Sequence, residues 1–302
     1  MTPTASTRWG CRCATISEPM SRSLRWLSLL LLPLCLSACS GLLFMPMKTL
    51  VRTPADVGLA WRDVSLRAAD GTALDAWWLP AVGQARGTVL FLHGNAENIS
   101  THLASVYWLP AAGYQVLLLD YRGFGDSAGK PRIPEVLEDV RAAVDWLVAQ
   151  PGSHGQPLFL LGQSLGASLG GYLVGTDPAV RSHFAGIVLD SGFARYRWIA
   201  REVASRSWLT WPLQWFAGWS MPDGYDLLDH VGNISPVPLL MMHSRDDQIV
   251  GYHHALALYK AARAPRCLVT YTGPHISGFE DAHIRETVLG FFADPMGHCP
   301  SR

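Results

Sequence analysis

The 302-residue sequence has no surplus of either charge, because 24 Lys and Arg balance 24 Asp and Glu. Nucleic-acid binders usually carry a basic excess, so the balance argues against a general nucleic-acid partner. Charge is also scarce, at 16% of residues against 49% hydrophobic, which excludes a disordered chain and describes one with a sizeable buried core. The sequence has no internal repeat, no low-complexity tract, no H-E-x-x-H and no paired metal-ligand spacing, so nothing in it calls for a cofactor or a metal. Cysteine is sparse: of six, four fall within the first 39 residues. Cys267 and Cys299 remain, able to form one disulfide in an oxidising compartment or to stand as separate thiols.

What is present begins with a targeting segment. In "MSRSLRWLSLLLLPLCLSAC", Arg22 and Arg25 precede an apolar run from Trp26 to Ala38, which then ends in small residues. That is the charged, apolar and small-residue order of a secretory signal, and the run is short for a spanning helix. Leu36-Ser37-Ala38-Cys39 resembles the lipobox of bacterial lipoproteins. The resemblance implies cleavage before Cys39, acylation of Cys39 and attachment to a membrane. Ser40 in the next position points to the outer membrane. The competing reading is an uncleaved anchor that Leu42 to Met47 extend across the bilayer. The expected organisation is an extension and signal over 1–38, a tether over 39–49, one folded domain over 50–295 with an insert near 195–235, and a tail over 296–302.

Beyond the tether, "WRDVSLRAADGTALDAWWLP" alternates around Asp70-Gly71 and predicts a hairpin. Continuous apolar runs follow at 87–94, 114–120, 158–164, 186–192, 238–244 and 267–273, as expected for parallel strands covered on both faces. Between them, Pro134 occupies a first-turn position, and Val136, Val140, Ala143 and Leu147 share one helical face. The alternation predicts a doubly wound, mostly parallel α/β sheet. Residues 195–235 interrupt it with a short helical insert suited to a lid. Five Trp crowd into it: Trp198, Trp208, Trp211, Trp215 and Trp219. They could pack internally, line an apolar cleft or meet a bilayer.

The chemistry starts at "LLGQSLGASLGG", residues 160–171, where a strand-like run stops at Ser164 between glycines. Alone, G-x-S-x-G arises by chance in roughly one chain of this length in ten. Its setting between a buried strand and a small-residue helix predicts a sharp turn that exposes the hydroxyl. A serine hydroxyl needs a base, and the base needs an acid to fix its tautomer. "LLMMHSRDDQIV" ends a strand with Asp246 and Asp247, and "LVTYTGPHISGF" ends the next with His275. Asp247 fits the turn better than Asp246, and Asp190 is a further candidate acid. His283 rivals His275 but falls within a predicted helix. The turn His93-Gly94-Asn95-Ala96 can aim an amide of Asn95 or Ala96 beside that of Leu165, with His93 as a structural residue. "YRGFGDSAGKP" brushes against a dinucleotide-binding pattern, but no helix opens there.

Together "FLHGNAENIS", "LLLDYRGFGDSAG", "GQSLGA", "HSRDDQIV" and "GPHISGF" resemble the serine α/β hydrolases of the membrane-tethered, serine-aminopeptidase-like branch. The resemblance covers roughly residues 44 to 293. It implies an α/β-hydrolase fold, Ser164 as nucleophile, Asp247 as acid, His275 as base, and oxyanion amides from Asn95 and Leu165. Ser244 departs from the glycine usual after the strand-end histidine. The expected activity is hydrolysis of small-molecule or lipid carboxylic esters through an acyl-enzyme. Amide or thioester cleavage, and a non-catalytic lipoprotein that binds a partner, are the alternatives.

Overall fold

The computed structural model describes residues 43–150 and 155–297, so the signal segment, Cys39 and Cys299 lie outside the described residues. Cys267 is disulfide-bonded. The described residues fall within one compact unit, Cys39–Arg302. Among them no helix is long and apolar enough to cross a membrane.

An eight-stranded sheet forms the frame. Its strands are β2 (Arg62–Arg67), β3 (Ala73–Leu79), β4 (Gly87–Leu92), β6 (Tyr114–Leu119), β7 (Leu158–Gln163), β8 (Phe184–Asp190), β9 (Leu239–Ser244) and β10 (Arg266–Tyr271). Their order is β10-β9-β8-β7-β4-β6-β3-β2. β2 and β3 form the hairpin expected at Asp70-Gly71, and β3 joins β6 antiparallel. All other pairings are parallel. Two dipeptide strands, β1 (Met45–Pro46) and β5 (Ala96–Glu97), pair separately.

Burial follows position in the sheet. Every residue of β4, β7 and β9 is buried, as both-face coverage demands. The outermost β10 is only partly buried, because an edge strand lacks one flank of neighbours. Side chains alternate between two cores: Leu90, Leu92, Leu117 and Leu160 join one, while Val89, Phe91, Leu118 and Leu161 join the other. Helix α1 (Glu135–Ala149) sends Val136, Val140, Ala143 and Leu147 into the first core, with Pro134 at its N-cap. α2 (Leu165–Thr176) packs on the same face. The insert contributes α3 (Tyr196–Ser205) and α4 (Gln214–Trp219), followed by α5 (His253–Ala261). α6 (Ala282–Ala293) covers the second core through Ile284, Val288, Phe291 and Phe292.

The last residues of the expected tether rest on the domain. Phe44 is buried, and Met45 and Pro46 pair with Ala96 and Glu97.

Glycine at 166 lets α2 approach the sheet. A Cβ there would lie 2.1 Å from the carbonyl oxygen of Leu92, and the Gly166 amide donates to the His93 carbonyl at 3.1 Å. At Gly170 a Cβ would meet only side-chain methyls, of Leu92 at 2.8 Å and of Leu160 at 3.0 and 3.1 Å. Gly166→Ala should therefore cost about 3 kcal/mol, with Gly170→Ala costing visibly less. Thermal melting checks this: the first change should lower Tm by roughly 6–12 °C. Equal losses would refute the backbone clash as the cause.

Candidate active site

The site is built from the carboxyl ends of the strands. β4 leads on to β6 on one side, while β7 lies on the other, so the crossovers diverge between β4 and β7. Crevices at such switch points are where open α/β sheets bind ligands. Ser164 follows β7 and precedes α2, with φ +52 and ψ −111. Its backbone is pinned there: the amide donates to the Asp190 carbonyl at 2.8 Å, and the carbonyl accepts from the Ser168 amide at 3.2 Å.

The described residues contain four non-glycine positions with positive φ: Glu97, Ser164, Ser191 and Ile276. Ser164, Ser191 and Ile276 follow the carboxyl ends of β7, β8 and β10, with Ile276 next to His275, while Glu97 closes β5 in the connection after β4. Strain of this kind persists where the surroundings over-determine a functional geometry. Here it is concentrated on one end of one sheet.

His275 Nδ1 lies 2.6 Å from Asp247 Oδ2. The other carboxylate oxygen, Oδ1, accepts from the amides of Ile249 at 2.8 Å and Val250 at 2.9 Å. Burial alone would push Asp247 up, but the bond to His275, its charge and these two amides outweigh it and hold the group below the usual carboxylate range. His243 supports the same turn by donating from Nε2 to the Val250 carbonyl at 2.8 Å. Burial lowers the basicity of His243, so it is a neutral donor and not a second base. Ser244 Oγ donates to the Gly273 carbonyl, so the departure from glycine ties the Asp247 turn to the His275 loop.

The other candidates are placed elsewhere. Asp246 Oδ2 receives the Gly273 amide at 3.4 Å. Asp190 is fully buried, and its carboxylate accepts from Gln163 Nε2 at 2.9 Å, the Tyr271 hydroxyl at 2.8 Å and Ser191 Oγ at 3.2 Å. Burial raises Asp190 in spite of these donors. Gln163, immediately before Ser164, also reaches 3.5 Å from the carbonyl of Ile276. The elbow and the His275 loop thus meet through Gln163, a residue that sequence reasoning passed over because an interior glutamine carries no motif. His283 lies apart, in a cavity of about 270 Å³ lined also by Arg245, Thr270, Ser277 and Asp281. Neither Ser164, Asp247 nor His275 lines that cavity.

Across from Ser164, Gly94 approaches closely: a Cβ on it would sit 3.7 Å from that of Ser164. Asn95 follows it, and its side chain donates to the Leu43 carbonyl at 2.6 Å and accepts from the Met45 amide at 3.2 Å. Leu165 opens α2, where no preceding helical turn receives its amide. Beneath this turn His93 Nε2 faces Asp120 Oδ1 at 3.2 Å, both fully buried. The Tyr121 hydroxyl donates to the His93 carbonyl at 3.0 Å. His102 stacks on His93, and burial lowers its pKa to about 3, so it stays neutral. His93 therefore shapes the turn, as expected.

Glu202, His253 and His254 form the one group of possible metal ligands found among the described residues. Glu202 Oε1 lies 3.0 Å from Nε2 of each histidine. The Ala194 amide donates to His254 Nδ1 at 2.9 Å, so Nε2 of that ring carries the proton and donates to Glu202. A protonated Nε2 has no lone pair for a metal. The group is a clasp between α3 and α5.

A strand–elbow–helix carrying serine, followed by an Asp and a His on later strand ends of a mostly parallel sheet, defines an α/β hydrolase. The family described as serine aminopeptidase, S33, matches residues 83–226. YfhR of Escherichia coli K12, a protein described as uncharacterized, is 32% identical over 241 residues, spanning 77% of this chain and 81% of that one. The lysophosphatidylserine lipase ABHD12 of Xenopus tropicalis is 30% identical over 240 residues, covering 76% of this chain and 59% of that protein. Among solved structures, the Pyrococcus furiosus esterase Pf2001 superposes with a TM-score of 0.68 at 22% identity, covering 84% of this chain and 98% of that one. The chain belongs to the α/β-hydrolase family that includes YfhR.

Proposed function

We propose that the chain is a membrane-anchored serine hydrolase that cleaves carboxylic esters with Ser164, His275 and Asp247. The 2.6 Å bond between His275 and Asp247 carries this reading, because it leaves Nε2 of the imidazole as the site that takes up a proton. Ser164 Oγ attacks the ester carbonyl carbon as its proton passes to His275 Nε2. Asp247 orients the ring and stabilises the imidazolium. The amides of Asn95 and Leu165 receive the developing oxyanion. His275 then gives the proton to the departing alkoxide, leaving an acyl group on Ser164. Water attacks that acyl group, losing its proton to His275, and the carboxylic acid leaves as Ser164 regains its hydrogen. The lipase name of the ABHD12 relative favours an ester of a lipid or another apolar acyl group. A peptide substrate, in line with the family's aminopeptidase description, is the second reading.

Purified full chain should hydrolyse short p-nitrophenyl esters faster than matching anilides, and a fluorophosphonate should modify it at Ser164. Label mapped to another residue would overturn the assignment. For anchoring, Cys39→Ser should move the protein from the membrane to the soluble exported fraction, as expected when the acyl chains are lost. Unchanged partitioning would favour an uncleaved anchor over the lipidated, outer-membrane form.

A further inference from the structure

The proposed hydrolysis leaves the outer surface of the insert unused. Trp208 is 82% exposed there, and Leu209, Trp211, Trp215, Phe216 and Trp219 are each between 55% and 65% exposed. Of the five tryptophans, only Trp198 is partly buried, packed against His253 and His254. Single exposed apolar side chains are ordinary on a soluble surface, but a run this dense marks a contact site.

Its composition indicates the partner. Indole is amphipathic and favours the boundary between lipid headgroups and acyl chains over either bulk phase. No acidic residue occurs from Val203 to Pro222, while Arg201 and Arg206 border the run. The Arg201 guanidinium lies 4.5 Å over the Trp215 ring, which brings positive charge to the edge of the apolar face. An apolar face with a basic margin complements an anionic bilayer surface.

Topology gives an independent argument. The insert leaves from the carboxyl end of β8. At the other end of the chain, β1 pairs with β5, just past the Gly94 turn at the carboxyl end of β4. Residues before Leu43 thus join the domain at the end of the sheet that carries Ser164. Their sequence holds the apolar run from Trp26 to Ala38. The lipid proposed on Cys39, four residues before Leu43, would tie the chain to a membrane from this end of the sheet, and this step rests on the proposed anchoring.

We infer that the Trp-rich face of residues 208–219 docks on the surface of a phospholipid bilayer containing anionic lipid, with the mouth of the Ser164 site directed at that surface. The docking itself is independent of the ester reading; only its use in delivering substrate rests on it.

The test reconstitutes the full chain into vesicles of phosphatidylcholine with a minority of phosphatidylglycerol, with brominated acyl chains. Bromine should quench a larger fraction of tryptophan emission in the wild type than in a Trp208→Ser/Trp211→Ser variant. Trp9 and Trp26 are common to both proteins, so the difference reports the insert. Equal quenching overturns the proposal. Equal quenching with a dimer that only the wild type forms also overturns it, by showing that a second copy covers the face. In a second arm, the variant should lose about tenfold in turnover of an ester embedded in the vesicles while keeping its rate on a soluble ester. Equal loss on both esters would overturn the delivery role. Absence of any wild-type ester turnover would sink the hydrolase reading and leave the quenching result to judge docking. Should the double variant fold poorly, Trp208→Ser alone replaces the most exposed ring and gives the same comparison.

Discussion

Replacing Ser164 by alanine is expected to lower ester turnover about 10⁶-fold and abolish fluorophosphonate labelling, with the melting temperature nearly unchanged. Alanine keeps the Cβ of this buried residue and removes only the hydroxyl, so the loss falls on chemistry and not on packing. The backbone at this position makes a second substitution more informative. Ser164 has φ +52 and ψ −111, where a Cβ is strained by about 1–3 kcal/mol. Alanine retains the Cβ and the strain. Glycine removes both, although it gives the unfolded chain about 0.5–1 kcal/mol more conformational entropy to lose. Ser164→Gly should therefore melt higher than Ser164→Ala, by roughly 2–4 °C for a net gain of about 1 kcal/mol, while being equally inactive. Calorimetry of the two inactive proteins checks the order. A glycine variant that melts below the alanine variant would show that the elbow stores no strain.

The same strain explains what was legible in the sequence. The glycines at 162 and 166 are needed because Cβ atoms there would lie 2.6 Å from the Gly166 carbonyl oxygen and 2.1 Å from that of Leu92. A turn this crowded leaves a visible pattern, and so do strands buried on both faces. The sequence favoured Asp247 as the partner of His275 but left Asp246 and Asp190 open. All three stand at strand ends, Asp190 closing β8 and Asp246 and Asp247 following β9, and only the curl of the 245–250 turn puts Asp247 Oδ2 against His275 Nδ1. Asn95 was singled out for its amide, yet its side chain ties down Leu43 and Met45, some fifty residues away in sequence. No local signal encodes so distant a contact. The insert resisted reading for a related reason. Burial of tryptophan depends on whether another element covers it, and the described structure leaves four of the five rings mostly exposed.

The choice among those carboxylates leads to the second large effect. Asp247→Asn should reduce kcat about 10⁴-fold while preserving volume and the turn. Asparagine can still accept the Ile249 and Val250 amides through its carbonyl oxygen, which leaves its NH₂ facing His275 Nδ1. A donor there selects the ring tautomer with its proton on Nε2, and that nitrogen can no longer take the proton of Ser164. Asp190→Asn should instead keep kcat within about tenfold of wild type, because the Asp190 oxygens already serve Gln163, Tyr271 and Ser191. Its cost should appear in stability, and most clearly in acid, where native Asp190 is protonated. Similar losses of kcat in both variants would remove the distinction and reopen Asp190 as the acid. Acid titration of stability separates them further. The native state holds Asp247 below its unfolded value, so the contribution is full above about pH 4 and is lost as pH falls through the lower, native value. The stability gap between wild type and Asp247→Asn should accordingly be widest near neutrality and narrow in acid. Asp190 is raised by burial, so its ionised form costs stability at neutral pH. Neutral asparagine removes that cost, and the gap between wild type and Asp190→Asn should shift the opposite way as the pH is lowered.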